Sequence, residues 1–446
     1  MQPMPYDEQP MTDPLGPFYG PPPPPPPRRH GARSLPLVIV AVLAAGVGAG
    51  SVIGLRGSSG PSVASPDTTT PSASAPSSAG STPSGGSRAP SAAPGSVPGA
   101  AGIPVPPAGT PAGASGALNA QAVADKVQPG MVNISAPEAY GQNLSEGTGI
   151  ILTSTGLVVT NNHVIEGATS PTATLVSSGK TYKATIVGYN KAADVALLQL
   201  TGASGLTPVT VGNSDGVKVG MHVLGLGNAQ GQGGQPTVAP GLVTALNQSI
   251  SPQDSSTQTS ENLHGTIQTS AQIQPGDSGG PLANAAGQVI GMDVAASQVQ
   301  QFNGTQTTAG YAIPINQALQ IARQIATGQA STDVQIGLPP FMGVSIADAS
   351  KGCPSSSSGG LGGSSGGVAS SGALVCGVYS GTPAETAGLA QGDVITNADG
   401  KAVGTANSLI AITAGLHPGQ AVSLRYTDGT GASRSLTLTL IGGPAK

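Results

Sequence analysis

The sequence predicts a mainly β chain: a run of short strands forming a barrel or sandwich, then a small α+β module, preceded by an N-terminal apolar helix and an unstructured linker. Three observations predict this. From Ala120 onward, short apolar runs recur at regular spacing between Gly, Asn and Ser. Aromatic residues make up 2% of the chain and Trp is absent, so a core must come from Val, Ile, Leu and Ala, a palette that suits sheets better than a helical bundle. The first quarter is crowded with Gly, Pro, Ser and Ala and has no hydrophobic period.

In chain order, residues 1–34 are a Pro-rich tail with a polyproline run at Pro21–Pro27 and a basic cluster at Arg28, Arg29 and Arg33. Such a tail is either a docking segment for an aromatic groove or a plain spacer. Residues 35–55 carry no charge and are long enough to cross a membrane. The basic cluster before them predicts a cytoplasmic N-terminus, with everything downstream outside. The alternative is a cleaved signal peptide, whose apolar core would be shorter. Residues 56–117 read as a disordered tether. Residues 118–330 form the first folded domain: a helix over Ala120–Val127, strands at Met131–Ile134, Gly149–Leu152, Leu157–Thr160, Thr185–Val187, Val195–Leu200, Met221–Gly225, Leu242–Leu246 and Gln288–Met292, and a closing helix over Ile315–Thr327. Residues 331–446 form the second, with strands at Phe341–Ile346, Ala373–Tyr379, Asp393–Ile395, Ala421–Tyr426 and Ser433–Leu440 and helices at Pro383–Leu389 and Ala406–Leu416. A Gly/Ser-rich insert lies between Cys353 and Cys376. In an exported protein such a pair is commonly bridged, and two buried thiols are the alternative.

Chemistry concentrates in three places. Gln274-Pro-Gly-Asp-Ser-Gly-Gly-Pro-Leu282 lets the backbone turn tightly around Ser278, so that the N–H groups of Gly276 and Ser278 can converge as an oxyanion hole. An ordinary glycine turn is the bland reading. His163 follows an apolar strand in Val159-Thr-Asn-Asn-His-Val-Ile165, and Asp194 precedes one in Asp194-Val-Ala-Leu-Leu-Gln-Leu200. Alone, the first would be a structural histidine and the second a solvated turn acid. In the order His, Asp, Ser they match a serine-protease triad of nucleophile, base and orienting carboxylate. His222, His264, His30 and His417 have no such company. No cluster has zinc spacing and no cofactor is implied. A mild net charge of −4 without a basic stripe argues against nucleic acid as a partner.

These blocks, together with Gly225-Leu-Gly-Asn228 and Gly310-Tyr-Ala-Ile-Pro314, resemble the HtrA-type trypsin-like proteases, nearest the actinobacterial PepA-like branch, from about Leu118 onward. The resemblance implies a chymotrypsin-like double β-barrel followed by one PDZ domain, a homotrimer, and control of the active-site loops by PDZ ligands. It departs from many members in having Asp277, not Asn, before the serine; we read Asp277 as part of the turn. Gln272 stands six residues before Ser278, where trypsin carries an acid, flanked by Ala271 and Ile273. With Gly310, Tyr311 and Ala312 it is expected to line a primary pocket for small or medium apolar residues, since no group there would compensate a buried cation. Phe341-Met-Gly-Val344 is similar to the carboxylate-binding loop of PDZ domains, which adds a peptide as a strand beside Val344–Ile346. The predicted partners are thus unfolded or C-terminally exposed proteins, and the membrane through one helix. The rival reading is an anchored PDZ adaptor or chaperone with an inert barrel.

Overall fold

The computed structural model describes residues 97, 100–108, 118–250, 263–302, 305–354 and 371–446. The tail, the apolar segment 35–55, most of the linker and the insert 355–370 lie outside the described residues. Among the described residues no helix is long and apolar enough to cross a membrane.

After helix α1 (Ala120–Val127), whose first turn is capped by Asn119 accepting from the Ala122 N–H, come six strands. They are β1 (Met131–Pro137), β2 (Leu144–Ile151), β3 (Leu157–Thr160), β4 (Thr172–Leu175), β5 (Thr181–Asn190) and β6 (Val195–Leu200), with a one-turn helix, α2 (Asn162–Ile165), between β3 and β4. The order β5-β4-β1-β2-β3-β6, with β5 also paired to β6, closes them into a ring. β5 shows why the chain folds so. Tyr182, Ala184 and Ile186 alternate inward against exposed Thr181, Lys183 and Thr185, the period of a strand with one buried face. Val132, Ile134, Val158, Leu198 and their neighbours fill the interior.

A second closed barrel follows: β7 (His222–Gly227), β8 (Thr237–Ile250), β9 (Leu263–Thr269), β10 (Pro281–Asn284), β11 (Val289–Phe302) and β12 (Thr305–Pro314), in the order β10-β11-β12-β9-β8-β7. Helix α3 (Ile315–Ala326) buries Ile315, Ala318, Leu319, Ala322, Ile325 and Ala326, one helical stripe, in a core shared by both barrels. Ile103 joins that core, and the Arg323 guanidinium donates to the Pro104 carbonyl. Residues 100–108 of the expected linker are therefore tied to the folded domain, Ile103 by burial in its core and Pro104 by its bond to α3.

Strand β13 (Val334–Ile336) adds to β5, so the first sheet continues past residue 330. Then come β14 (Pro340–Phe341), β15 (Val344–Asp348), β16 (Ala373–Val378), helix α4 (Pro383–Thr386), β17 (Val394–Ala398), β18 (Lys401–Ala402), helix α5 (Ala406–Ala414), β19 (Ala421–Thr427), β20 (Ser433–Thr439) and β21 (Ile441–Gly442). The single strand expected over Phe341–Ile346 is two, interrupted at Gly343, whose φ of 94° lies outside the extended region. The main sheet runs β15-β16-β17-β19-β20 around Val375, Ile395, Leu409, Val422 and Leu424. A reciprocal Thr405–Ser408 box caps α5. Beyond β21 the chain returns to the first barrel. Ala445 is buried there, donates to the Ala168 carbonyl and accepts from the Gly167 N–H.

Candidate active site

The pairing of β3 with β6 builds the centre of the site. Thr160 lies opposite Ala196 in this antiparallel pair, so the residues just after β3 and just before β6 emerge at the same edge. His163 is one and Asp194 the other. The histidine sits on α2, not at a strand end as its neighbours suggest, because the chain turns into that short helix after Asn161. Asp194 adopts a φ of 52°, a left-handed conformation that Asp tolerates better than most residues. The Asn161 side-chain amide donates to its carbonyl at 2.9 Å. Its carboxylate, 1% exposed, accepts twice from one residue: from the His163 N–H at 3.0 Å and from the ring at Nδ1, 2.8 Å away. A carboxylate only accepts, so Nδ1 carries the hydrogen and Nε2 is left with the lone pair.

Ser278 lies in the turn between β9 and β10 and is 4% exposed. Its carbonyl accepts from the Thr148 N–H at 2.8 Å. A Cβ built on Gly147 would fall 2.7 Å from Val164 and 3.2 Å from the Ser278 carbonyl. Gly147 thus lets the helix of His163 and the turn of Ser278 close on the same point of β2.

Two carbonyls of that turn are tied back. Pro275 accepts from the Gln230 N–H at 2.7 Å, and Asp277 from the Gly280 N–H at 2.8 Å. A trans peptide aims its N–H opposite to its carbonyl, so these bonds orient the N–H groups of Gly276 and Ser278. Thr148 braces the same turn, its hydroxyl donating to the Gly276 carbonyl at 2.8 Å and accepting from the Asn228 N–H at 2.9 Å. Asp277 is 2% exposed and accepts from the Gln274 N–H and the Thr237 hydroxyl, at 2.9 and 2.7 Å. Burial pushes its carboxyl above the ordinary value, and these two donors pull back. Thr148 belongs to no motif readable in the sequence, and Asn161, though inside the Val159–Ile165 block, carries no role that the block itself reveals.

Of the four expected pocket residues, Tyr311 and Ala312 are buried on β12 and Gly310 precedes them. A Cβ on Gly310 would lie 2.6 Å from both the Ala271 carbonyl and Ile273 Cγ1. Gln272 is exposed, its amide donating to the Ser270 carbonyl at 3.3 Å. The side chain closest to Gly310 is therefore that of Ile273, a residue expected only to flank the pocket. Among the described residues no three His, Cys, Asp or Glu side chains converge as metal ligands do.

In the second module, β15 is the edge of its sheet, paired on one side with β16. Such an edge offers unused main-chain donors and acceptors to an added strand. The loop before it turns at Gly343, where a Cβ would stand 2.1 Å from Thr382 Cβ. Met342 is buried, its carbonyl accepting from the Ala384 N–H at 2.9 Å. Phe341 packs with Tyr379 and with Tyr140 of the β1–β2 loop, ring centroids 5.9 and 5.3 Å apart. Cys353 and Cys376 are joined by a disulfide.

Residues 147–292 match the trypsin-like peptidase domain family, and residues 340–439 the PDZ domain family. The serine protease PepD of Mycobacterium tuberculosis is 32% identical over 427 residues, 92% of this chain and 78% of that protein. The serine protease Do-like HtrB of Bacillus subtilis is 34% identical over 247 residues, 55% of this chain and 50% of its own length. A solved HtrA-type protease, AlgW with a decapeptide, aligns at 27% identity and TM-score 0.39, covering 74% of this chain and 100% of that one.

Proposed function

We propose, from the premise that this chain belongs to the HtrA-type family of trypsin-like serine proteases with a PDZ domain, that Ser278 is its nucleophile, His163 its general base and acid, and Asp194 the carboxylate that orients the imidazole. The observation that carries this reading is the 2.8 Å contact between His163 Nδ1 and buried Asp194. It leaves Nε2 free of hydrogen and able to accept a proton.

The chemistry follows. Ser278 Oγ attacks the scissile carbonyl as its proton passes to His163 Nε2. The carbonyl oxygen becomes an oxyanion, which the N–H groups of Gly276 and Ser278 stabilise. His163 returns the proton to the leaving amine, and the amide bond breaks to give an acyl-enzyme. A water molecule, deprotonated by the same nitrogen, repeats the cycle and frees Ser278. Asp194 holds the ring through Nδ1 and stabilises the imidazolium. Ala271, Ile273 and Gly310 favour a small or medium apolar residue before the cleaved bond.

The finer reading is an extracytoplasmic endopeptidase held to the membrane by residues 35–55, its N-terminus cytoplasmic. It degrades misfolded or exposed envelope proteins, and its PDZ domain captures C-termini along the edge of β15 and Gly343. The Cys353–Cys376 disulfide supports an oxidising compartment, and a homotrimer is expected from the family. Casein digestion by the full chain in detergent, beside its Ser278→Ala variant, tests the central assignment. Digestion that falls by about 10⁴–10⁶ in the variant is the expected result. Equal rates would refute the nucleophile, and no digestion by either form, even with PDZ-binding peptides, would favour an inert adaptor.

A further inference from the structure

Asp293 takes no part in the steps above, yet it is tied to them. It lies on β11 opposite Ala312 of β12, whose side chain belongs to the apolar cluster inside the second barrel. Asp293 is 0% exposed, and neither carboxyl oxygen receives a hydrogen bond. β7 meets it with Gly225, where a Cβ would stand 3.2 Å from Asp293 Oδ2 and 2.4 Å from Ile273 Cδ1. The main chain of Asp293 is by contrast bonded to the nucleophile turn. Its N–H donates to the Gly280 carbonyl at 2.7 Å, and its carbonyl accepts from the Gly279 N–H at 2.9 Å. Ser278 is thus one residue away from a strand that carries a sealed acid.

The ionisable group acting on Asp293 is Asp277, from the turn itself; β7 and β12 bring Gly225, Leu226 and Ala312, which do not titrate. The two acids are unequal. Asp277 has two well-aligned donors to hold an anion, whereas Asp293 has only the Leu226 main chain nearby, at a geometry too poor for an ordinary hydrogen bond. Burial first, and the charge of Asp277 second, push the Asp293 carboxyl well above the ordinary carboxylate range; the nearby Leu226 main chain offsets only part of this. Of the two, Asp293 is the acid whose charge the fold disfavours more. A charge there would be buried and uncompensated beside Asp277.

We propose that Asp293 is a positioning residue for the nucleophile turn: its carboxyl keeps its proton in the active enzyme, and losing that proton pushes apart the strand and the turn that together aim Ser278 and the oxyanion donors. The proposal rests on the catalytic reading of Ser278 for its kinetic arm only. The folded state keeps a proton that the unfolded chain has lost, so stability is full below the unfolded carboxyl range and falls as pH rises toward the folded value.

The test compares the full chain with Asp293→Asn, in which an amide mimics the neutral carboxyl. Three readouts are taken across pH 5 to 10: kcat/KM on a short peptide, Tm, and the protonated-carboxyl stretch in the infrared. The wild type is expected to show that stretch at pH 7 and a Tm that declines with pH. Its kcat/KM should fall about tenfold per pH unit wherever the stretch disappears, the behaviour of one essential proton. Asp293→Asn is expected to lose the stretch, to flatten the Tm profile and to hold kcat/KM through the range where the wild type falls. A wild type without the stretch at pH 7 overturns the proposal even if the variant does not fold. So does a variant whose Tm slope matches the wild type.

Discussion

Gly276→Ala separates the oxyanion turn from the rest of the fold. Gly276 has a φ of 96°, a conformation that L residues adopt at a cost of about 1–2 kcal/mol. The added Cβ would stand 2.1 Å from the Asn228 carbonyl oxygen and 2.9 Å from the Gln230 nitrogen. Carbon–oxygen contacts settle at about 3.3–3.6 Å, so the turn or the 228–231 segment must yield by about 1 Å. The Gln230–Pro275 hydrogen bond that aims the Gly276 N–H lies across that gap. An oxyanion donor moved out of its narrow distance window lowers kcat by about 10²–10³, equivalent to about 2.7–4 kcal/mol. The interaction exists only in the transition state, so KM should stay near its wild-type value. The barrel cores do not touch this position, and the variant should melt cooperatively within several degrees of the wild type. The assay is kcat and KM on a short chromogenic peptide with an apolar residue before the cleaved bond, with a circular-dichroism melt. A folded variant with wild-type kcat would refute both the clash and the role of the donor.

Asp194→Asn keeps the shape but offers the His163 ring an N–H in place of an oxygen, favouring the wrong tautomer; kcat should drop about 10⁴-fold with an unchanged melt. Gly343→Ala should abolish binding of C-terminal peptides in calorimetry, because the new methyl meets Thr382 at 2.1 Å, while hydrolysis of a short chromogenic peptide persists. Replacing Cys353 and Cys376 by Ser opens a loop with a sequence separation of 23 residues and should lower stability by about 3 kcal/mol in the chain-entropy model, read from chemical denaturation. A peptide library should give cleavage after Ala, Val or similar residues; a preference for Lys or Arg would sink the pocket built on Ile273 and Gly310.

What the sequence alone determined is what depends on local pattern. Leu157–Thr160 and Val195–Leu200 appear as strands and Ala120–Val127 as a helix because their apolar periods are strong and their ends are marked by Gly, Asn or Asp. The turn around Ser278 was legible because its glycines hold backbone angles that other residues avoid. β4 and β10 hold one large apolar residue each, Leu175 and Leu282, too few to read as strands, whereas the equally short β3 holds an unbroken Leu-Val-Val run. The tertiary structure decided everything that depends on pairing at a distance. That His163 meets Asp194 follows from the register of β3 against β6, not from either motif. That Ile273 rather than Gln272 faces Gly310 follows from which way the chain leaves β9. Ala445 finds a place in the first barrel only because the second module folds its chain back. Asp293 shows the limit most directly. In sequence it is an acid in an apolar strand, the pattern of a surface position. Barrel closure buries it beside Asp277 with no well-aligned donor, and a carboxyl's charge is governed by the solvent and donors that the fold leaves around it.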